Sequence, residues 1–217
     1  MIAPAPMPLL HGYWRSSAAY RVRIALNLKG IDYAQVTHDL RTGAQSEAAY
    51  RAIAPQGLVP ALEEGDAVIT QSPAILEWIE ERWPSPRLLP IGLLDRAEVR
   101  AMMNLIVCDI HPLNNLRVLN VLRGDLAASP EQVQAWIARW IGDGFSALET
   151  MIWRAPGAWS FGDSPTLADC CLIPQVYGAQ RFGIDLSAYP RITAIAAHAD
   201  MVEAFAAAHP ARQPDAD

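Results

Sequence analysis

Two adjacent serines, Ser16 and Ser17, stand between a short apolar run at residues 9–13 and a helical pattern that extends from about residue 17 to 29, where Gly30 stops it. A strand feeding directly into a helix puts both hydroxyls at the helix N-terminus. The free N–H groups and the positive end of the helix dipole attract an anion there, and the hydroxyls add directional donors without neutralising it. A thiolate is one anion that such a site can stabilise. A thiol with a pKa of about 8.5 is only a few per cent ionised at neutral pH, and lowering that value by about two units raises the ionised fraction roughly twentyfold. Serine at a helix start also serves as a plain cap, so one of the pair has two readings at this point.

The elements around the pair follow from local pattern. After the first strand and helix come a second strand at residues 33–37, a polar stretch at 39–46 leading to a short helix around 47–52, and two short runs at 57–63 and 68–70 that turn about Glu64-Gly65-Asp66 as a hairpin. A helix over residues 73–83 closes the unit, with Ser72 as its N-cap and Pro73 as its first helical residue, where a missing N–H costs nothing. The order is β-α-β-α-β-β-α. The proline-rich connector at residues 84–90 ends the strand signals, and spans of about 95–122, 130–152, 166–182 and 189–208 all read as helix. The expected division is an α/β domain over residues 8–84 and an all-α domain over 91–210, with a mobile tail after Pro210. Thr166-Leu167-Ala168-Asp169 has the spacing of a capping box, which makes Asp169 a folding residue. Trp136, Trp140, Trp153 and Trp159 read as core or interface.

Bulk properties narrow the partners. A net charge of −6 on 217 residues excludes a nucleic-acid or anionic-membrane binder, so an anionic ligand must meet a local pocket built from a few arginines. The first eight residues lack a basic leader, and no later stretch gives about 18 uninterrupted apolar residues, so the expected location is cytoplasmic. Cys108 and the adjacent Cys170-Cys171 form neither a disulfide framework nor a metal spacing, and read as reduced, mostly buried thiols. No metal site is expected.

A small α/β unit joined by a proline-rich linker to a longer all-helical one is how glutathione transferases are organised, and the chain resembles that family in its motifs. Trp14-Arg15-Ser16-Ser17 through Tyr20-Arg21-Val22-Arg23-Ile24-Ala25-Leu26 resembles the zeta-class signature. Leu58-Val59-Pro60-Ala61-Leu62 and Gln71-Ser72 match the other glutathione-site motifs. In the helical half, the stretches at 108–115 and 161–169 look like those of maleylacetoacetate and maleylpyruvate isomerases, and the resemblance covers roughly residues 8 to 210. It implies a thioredoxin-like N-terminal domain plus an all-α C-terminal domain, the glutathione transferase fold, with glutathione as cofactor and a homodimer as the assembly.

The resemblance also implies roles. Ser16, with Ser17 as the adjacent alternative, donates to the glutathione sulfur. Val59, before a cis-proline at Pro60, pairs through its main chain with the cysteinyl moiety, Gln71 and Ser72 take the γ-glutamyl end, and Gln45 contacts the glycyl end. His111 and Asn115 are further glutathione contacts, with a core or acid/base role for His111 left open. Arg15, Arg117 and Arg181 fall at positions resembling a carboxylate-binding set, where guanidinium forks hold a small-molecule dicarboxylate. The implied reaction is conjugate addition of the thiolate to a cis-enedioate, rotation and elimination, with arginines and backbone N–H groups stabilising the enolate. The function implied is glutathione-dependent cis-trans isomerisation of maleylpyruvate or maleylacetoacetate in aromatic catabolism; the alternative is conjugation of glutathione to haloacids or other electrophiles. Ala18 departs from the pattern, since the maleylacetoacetate-type group carries a cysteine there. A methyl group cannot resolve a mixed disulfide, whereas isomerisation needs no such thiol.

Overall fold

A computed structural model of the chain describes residues 6–217; residues 1–5, most of the stretch read above as lacking a leader signal, lie outside the described residues. Strand β1 (Leu9–Gly12) runs into helix α1 (Ser17–Lys29), which ends where Gly30 adopts the left-handed conformation that glycine tolerates without steric cost. Strand β2 (Ala34–Thr37), helix α2 (Ala48–Ile53), the hairpin β3 (Ala61–Glu64) and β4 (Ala67–Thr70), and helix α3 (Ser72–Arg82) complete the order expected from sequence. The four strands form one sheet in the order β2-β1-β3-β4, with β1 parallel to β2 and antiparallel to β3. Leu10, Ile24, Leu26, Leu62, Ile75, Leu76 and Ile79 make its core.

The chain divides into two units, one of Met1–Arg87 with Asp200–Asp217 and the other of Leu88–Ala199. The first division falls inside the connector. The second differs from the expected helical domain of 91–210, because residues after Ala199 return to the α/β unit. Helix α9 (Glu203–Ala208) packs on α1, where Phe205 and Ala208 are buried, the Arg23 guanidinium donates to the Ala208 carbonyl, and Asn27 donates to the Ala204 carbonyl. The tail expected to be mobile is held as well. Buried Gln213 donates to the carbonyls of Ala207 and His209, and Asp215 accepts from the Trp14 N–H.

In the helical unit, α4 (Leu93–Asn104), α5 (Leu116–Arg123), α6 (Pro130–Arg154), α7 (Leu167–Arg181) and α8 (Pro190–Ala199) surround a core that includes Met102, Ile106, Ile110, Ile141, Phe145, Leu148 and Leu172. Two expected helices are each broken in two. The span at 95–122 widens into a π-helical stretch at Leu105–Ile110 and then a short turn at Pro112–Asn114, because Pro112 has no N–H to continue the ladder. The span at 189–208 breaks at residues 200–202, between α8 and α9. No described helix is long and apolar enough to cross a membrane.

The predicted capping box forms at the start of α7, and Asp169 does more than close it. Its fully buried carboxylate accepts from the Thr166 N–H at 2.7 Å, the Thr166 hydroxyl at 2.8 Å and the Ser160 N–H at 2.8 Å. Burial pushes this carboxyl up from 3.8, and the hydrogen bonds oppose the shift. Glu149 of α6 does similar work at α8, accepting from the N–H groups of Arg191 and Ile192. Trp159 is buried, as expected. Trp153 is 63% exposed, with its indole N–H donating to Glu149.

Candidate active site

Strand register gathers the α/β unit's predicted residues at one end of the sheet. His11 pairs with Ala61 and Ala61 with Thr70, so the end of β1, the start of β3 and the end of β4 lie side by side. Gly12 pairs with Thr37, which adds the end of β2. Hence Ser16-Ser17 follow β1, residues 39–46 follow β2, Val59-Pro60 precede β3 and Gln71-Ser72 follow β4, all at that edge.

Ser16 is the N-cap of α1. Its Oγ accepts from the Ala19 N–H at 3.2 Å, its carbonyl accepts from the Tyr20 N–H at 2.9 Å, and its backbone is extended. Capping uses a lone pair of the hydroxyl and leaves the proton free to be donated. The cap therefore leaves the hydroxyl able to donate to an anion as well. Ser17 is the first helical residue, and the N–H groups of Ser17 and Ala18 are among those a helix cannot satisfy internally. The turn before them is fixed from both sides: the Trp14 N–H donates to Asp215 at 2.9 Å, and the Trp14 carbonyl accepts from the buried Arg23 guanidinium at 2.9 Å. Half-buried Arg15 lies with its guanidinium carbon 5.3 Å from the Trp14 ring centroid.

Val59-Pro60 is a cis peptide, as expected, and a second cis bond lies at Ser85-Pro86 in the connector. Among the described residues no backbone hydrogen bond engages Val59. Gln45 sits in a short 3-10 turn, Ala44–Ser46, whose own carbonyl approaches Gly57; a Cβ at Gly57 would come within 2.9 Å of it, and the φ of +61° there also requires glycine. The Gln45 side-chain oxygen is buried and has no partner among the described residues.

The start of α3 differs from the sequence reading. Gln71, not Ser72, is the N-cap, and Ser72 is the first helical residue. Gln71 has a φ of +70°, a conformation that costs a non-glycine residue about 1–3 kcal/mol and is found where function imposes it. Its side-chain amide donates to Gln56. Ser72 is buried, and its hydroxyl accepts from the Arg21 guanidinium at 3.1 Å.

Three of the helical unit's predicted residues, His111, Asn115 and Arg117, lie at the break between α4 and α5. Asn115 caps α5, its side chain accepting from the Arg117 N–H at 3.1 Å, and Arg117 is exposed one residue into that helix. His111 begins the Pro112 turn, which Trp136 of α6 secures by donating its indole N–H to the Leu113 carbonyl at 2.8 Å. Arg181 ends α7, its guanidinium 4.7 Å from the Phe182 ring centroid. Of the thiols expected to be mostly buried, Cys170 and Cys171 are buried and Cys108 is exposed. No group of three or more metal-capable side chains occurs among the described residues.

Sequence reasoning missed three supports of the site: Arg21, Arg23 and Asp215. The arginines carried a usable signal, since two cations lie inside an otherwise apolar helical run, Tyr20–Leu26. Nothing in the sequence pairs Asp215 with a backbone N–H some 200 positions away.

The family described as glutathione S-transferase, N-terminal domain, matches residues 15–82. The maleylacetoacetate isomerase of Pseudomonas aeruginosa is 50% identical over 210 residues, covering 95% of this chain and 97% of that protein. The holo structure of a maleylpyruvate isomerase, described as a bacterial zeta-class glutathione S-transferase, superposes with a TM-score of 0.94 at 46% identity, covering 96% of this chain and all of that one. The maleylacetoacetate isomerase of Anaeromyxobacter dehalogenans, solved with dicarboxyethyl glutathione and citrate in its active site, gives 0.89 at 43% identity over 97% of this chain and 98% of that one.

Proposed function

The chain belongs to the glutathione S-transferase family, in the zeta-class group of maleylacetoacetate and maleylpyruvate isomerases, and from that premise we propose how its own residues perform the reaction. It is a glutathione-dependent cis-trans isomerase of a maleyl diacid. Glutathione supplies a thiolate that adds reversibly to the substrate's carbon–carbon double bond and so frees it to rotate.

The observation that carries the assignment is the Ser16 hydroxyl at the α1 N-terminus, whose oxygen caps the helix. The Ala19 N–H fixes the oxygen, so the remaining proton is presented to an anion at the α1 N-terminus, alongside the N–H groups of Ser17 and Ala18. Ser16 is the principal donor and Ser17 the adjacent one. The other residues suit a thiol-bearing tripeptide. Val59 offers a main chain free of sheet pairing, Gln45 a buried acceptor for an N–H, and the α3 start at Gln71-Ser72 a set of N–H groups for a carboxylate. His111 and Asn115 contribute to glutathione binding from the helical unit. Arg15, Arg117 and Arg181 bind the substrate carboxylates, and Arg15 also offsets charge as it develops on the reacting diacid. The A. dehalogenans complex supports this reading, because its bound molecule joins glutathione to a dicarboxylate.

Spectrophotometric assay of maleylpyruvate and maleylacetoacetate, with and without glutathione, tests the function: isomerisation of at least one should require glutathione. Lack of glutathione-dependent turnover of both overturns it. In the same assay Arg117→Ala should raise KM for the diacid about tenfold or more, the loss expected of a charge-assisted hydrogen bond. A homodimer is the working form, supported by the exposed apolar side chains of Ile91, Leu93 and Leu94 in the helical unit and tested by light scattering in solution.

A further inference from the structure

Four side chains beneath the Gly57–Pro60 loop have no part in the reaction described above, yet they are linked end to end. The Glu63 carboxylate of β3 lies 2.5 Å from Nε2 of buried His11 on β1. Nδ1 of His11 lies 3.0 Å from Nε2 of His38, which follows β2. The His38 ring lies against Tyr50 of α2, with centroids 4.0 Å apart, and the Tyr50 hydroxyl donates to the Leu58 carbonyl at 2.9 Å. Tyr50 is 2% exposed and packs in a cluster with Ala54 and Ala61, against which Val59 rests.

A carboxylate accepts only, so Nε2 of His11 carries the hydrogen that meets Glu63, and a second hydrogen is shared between Nδ1 of His11 and Nε2 of His38. The two contacts hold both rings in orientation, and the His38 ring meets the Tyr50 ring. At the far end, Leu58 C=O and Val59 N–H belong to one peptide plane, and that bond is trans, so the two groups point in opposite directions. Holding the carbonyl aims the N–H.

We propose that Tyr50 is a positioning residue for glutathione: its hydroxyl anchors the Leu58 carbonyl and thereby orients the Val59 main chain, while the Glu63–His11–His38 chain holds the Tyr50 ring in place. The inference rests on Val59 as a main-chain partner of glutathione. It predicts an effect on binding that is separate from the chemistry, because none of the four side chains is assigned to the sulfur or the diacid.

Calorimetric titration of the full enzyme with S-methylglutathione, which binds without reacting, separates these effects. Tyr50→Phe keeps the ring and removes only the hydroxyl. It should weaken S-methylglutathione binding about 5–10-fold and raise KM for glutathione equally, with kcat at saturating glutathione within about twofold of wild type. His38→Asn, which removes the ring contact but leaves the hydroxyl, should weaken binding in the same direction by about 2–3-fold, and it provides the test if Tyr50→Phe fails to fold. Unchanged affinity in these variants, or a loss confined to kcat, overturns the proposal. Failure of the wild-type enzyme to bind S-methylglutathione would instead overturn the glutathione site itself.

Discussion

Ser16 caps α1 and is the proposed donor to the glutathione sulfur, and that pairing sets what its removal should do. Ser16→Ala deletes the cap on Ala19 N–H, worth about 1 kcal/mol of stability, and with it the proposed donor to the sulfur, which as one member of an anion hole is worth about 10²-fold in kcat. Ser17→Ala deletes a hydroxyl that caps nothing among the described residues. The pH dependence of thiolate absorbance with glutathione bound should therefore shift upward more for Ser16→Ala than for Ser17→Ala, with the turnover loss in the same order. Equal shifts would move the principal role away from Ser16. The neighbouring Ala18 restricts the chemistry further, since the site has no thiol at that position to exchange with a mixed disulfide.

At the scale of elements, one carboxylate and two histidines decide how the frame responds to change. Asp169→Ala removes an acceptor serving three donors at the start of α7 and strands buried N–H groups. The expected cost is about 3 kcal/mol, or a fall of roughly 6–12 °C in the thermal midpoint of a protein this size, with KM values of the folded enzyme unchanged. Acid acts on the α/β unit instead. Burial, then the neighbouring charge of His11, pushes His38 below its ordinary 6.5 against the opposing pull of Glu47, and Tyr50 covers its ring; burial likewise lowers His209. The unfolded chain then takes up protons first as pH falls, so the stability contribution of these groups is intact above 6.5 and is lost as pH drops through their lowered values. Thermal midpoints should be flat above neutrality and decline below it, and His38→Asn should lessen the decline; an identical slope would assign the acid sensitivity elsewhere. Helix α1 and the Thr166–Asp169 box were legible from sequence because caps and stop signals act over a few residues. The α3 cap was misread by one residue, because Ser72 is the better capping type, whereas the strained Gln71 is set by its place at the sheet edge and its contact with Gln56.

At the scale of the whole molecule, the helical unit is one continuous insertion, Leu88–Ala199, within the α/β unit that the chain leaves and rejoins. Sequence pattern could not show the return, because residues 189–208 keep a helical apolar period across the break at 200–202. What brings the segment back is tertiary: buried Arg23 needs carbonyl acceptors, and it takes one from Ala208 and one from Trp14, in the turn before Ser16. The C-terminal segment is thus a structural part of the domain that holds Ser16. Truncation after Arg212 keeps α9 but removes Gln213 and the Asp215 carboxylate that holds the Trp14 N–H. Losing that charged acceptor and the Gln213 bonds should cost about 2–4 kcal/mol, lower the thermal midpoint by roughly 5–15 °C and raise KM for glutathione while leaving the protein folded. Truncation after Ala199 also removes the buried Phe205 side chain, about 3–5 kcal/mol, and the acceptors of Arg23 and Asn27. Added together, these losses approach the 5–15 kcal/mol that stabilises a typical domain. Circular dichroism should then show α/β structure retained by the first truncation and lost by the second. If the protein ending at Ala199 retained a folded α/β unit, the C-terminal segment would be an accessory layer and not part of that unit's core.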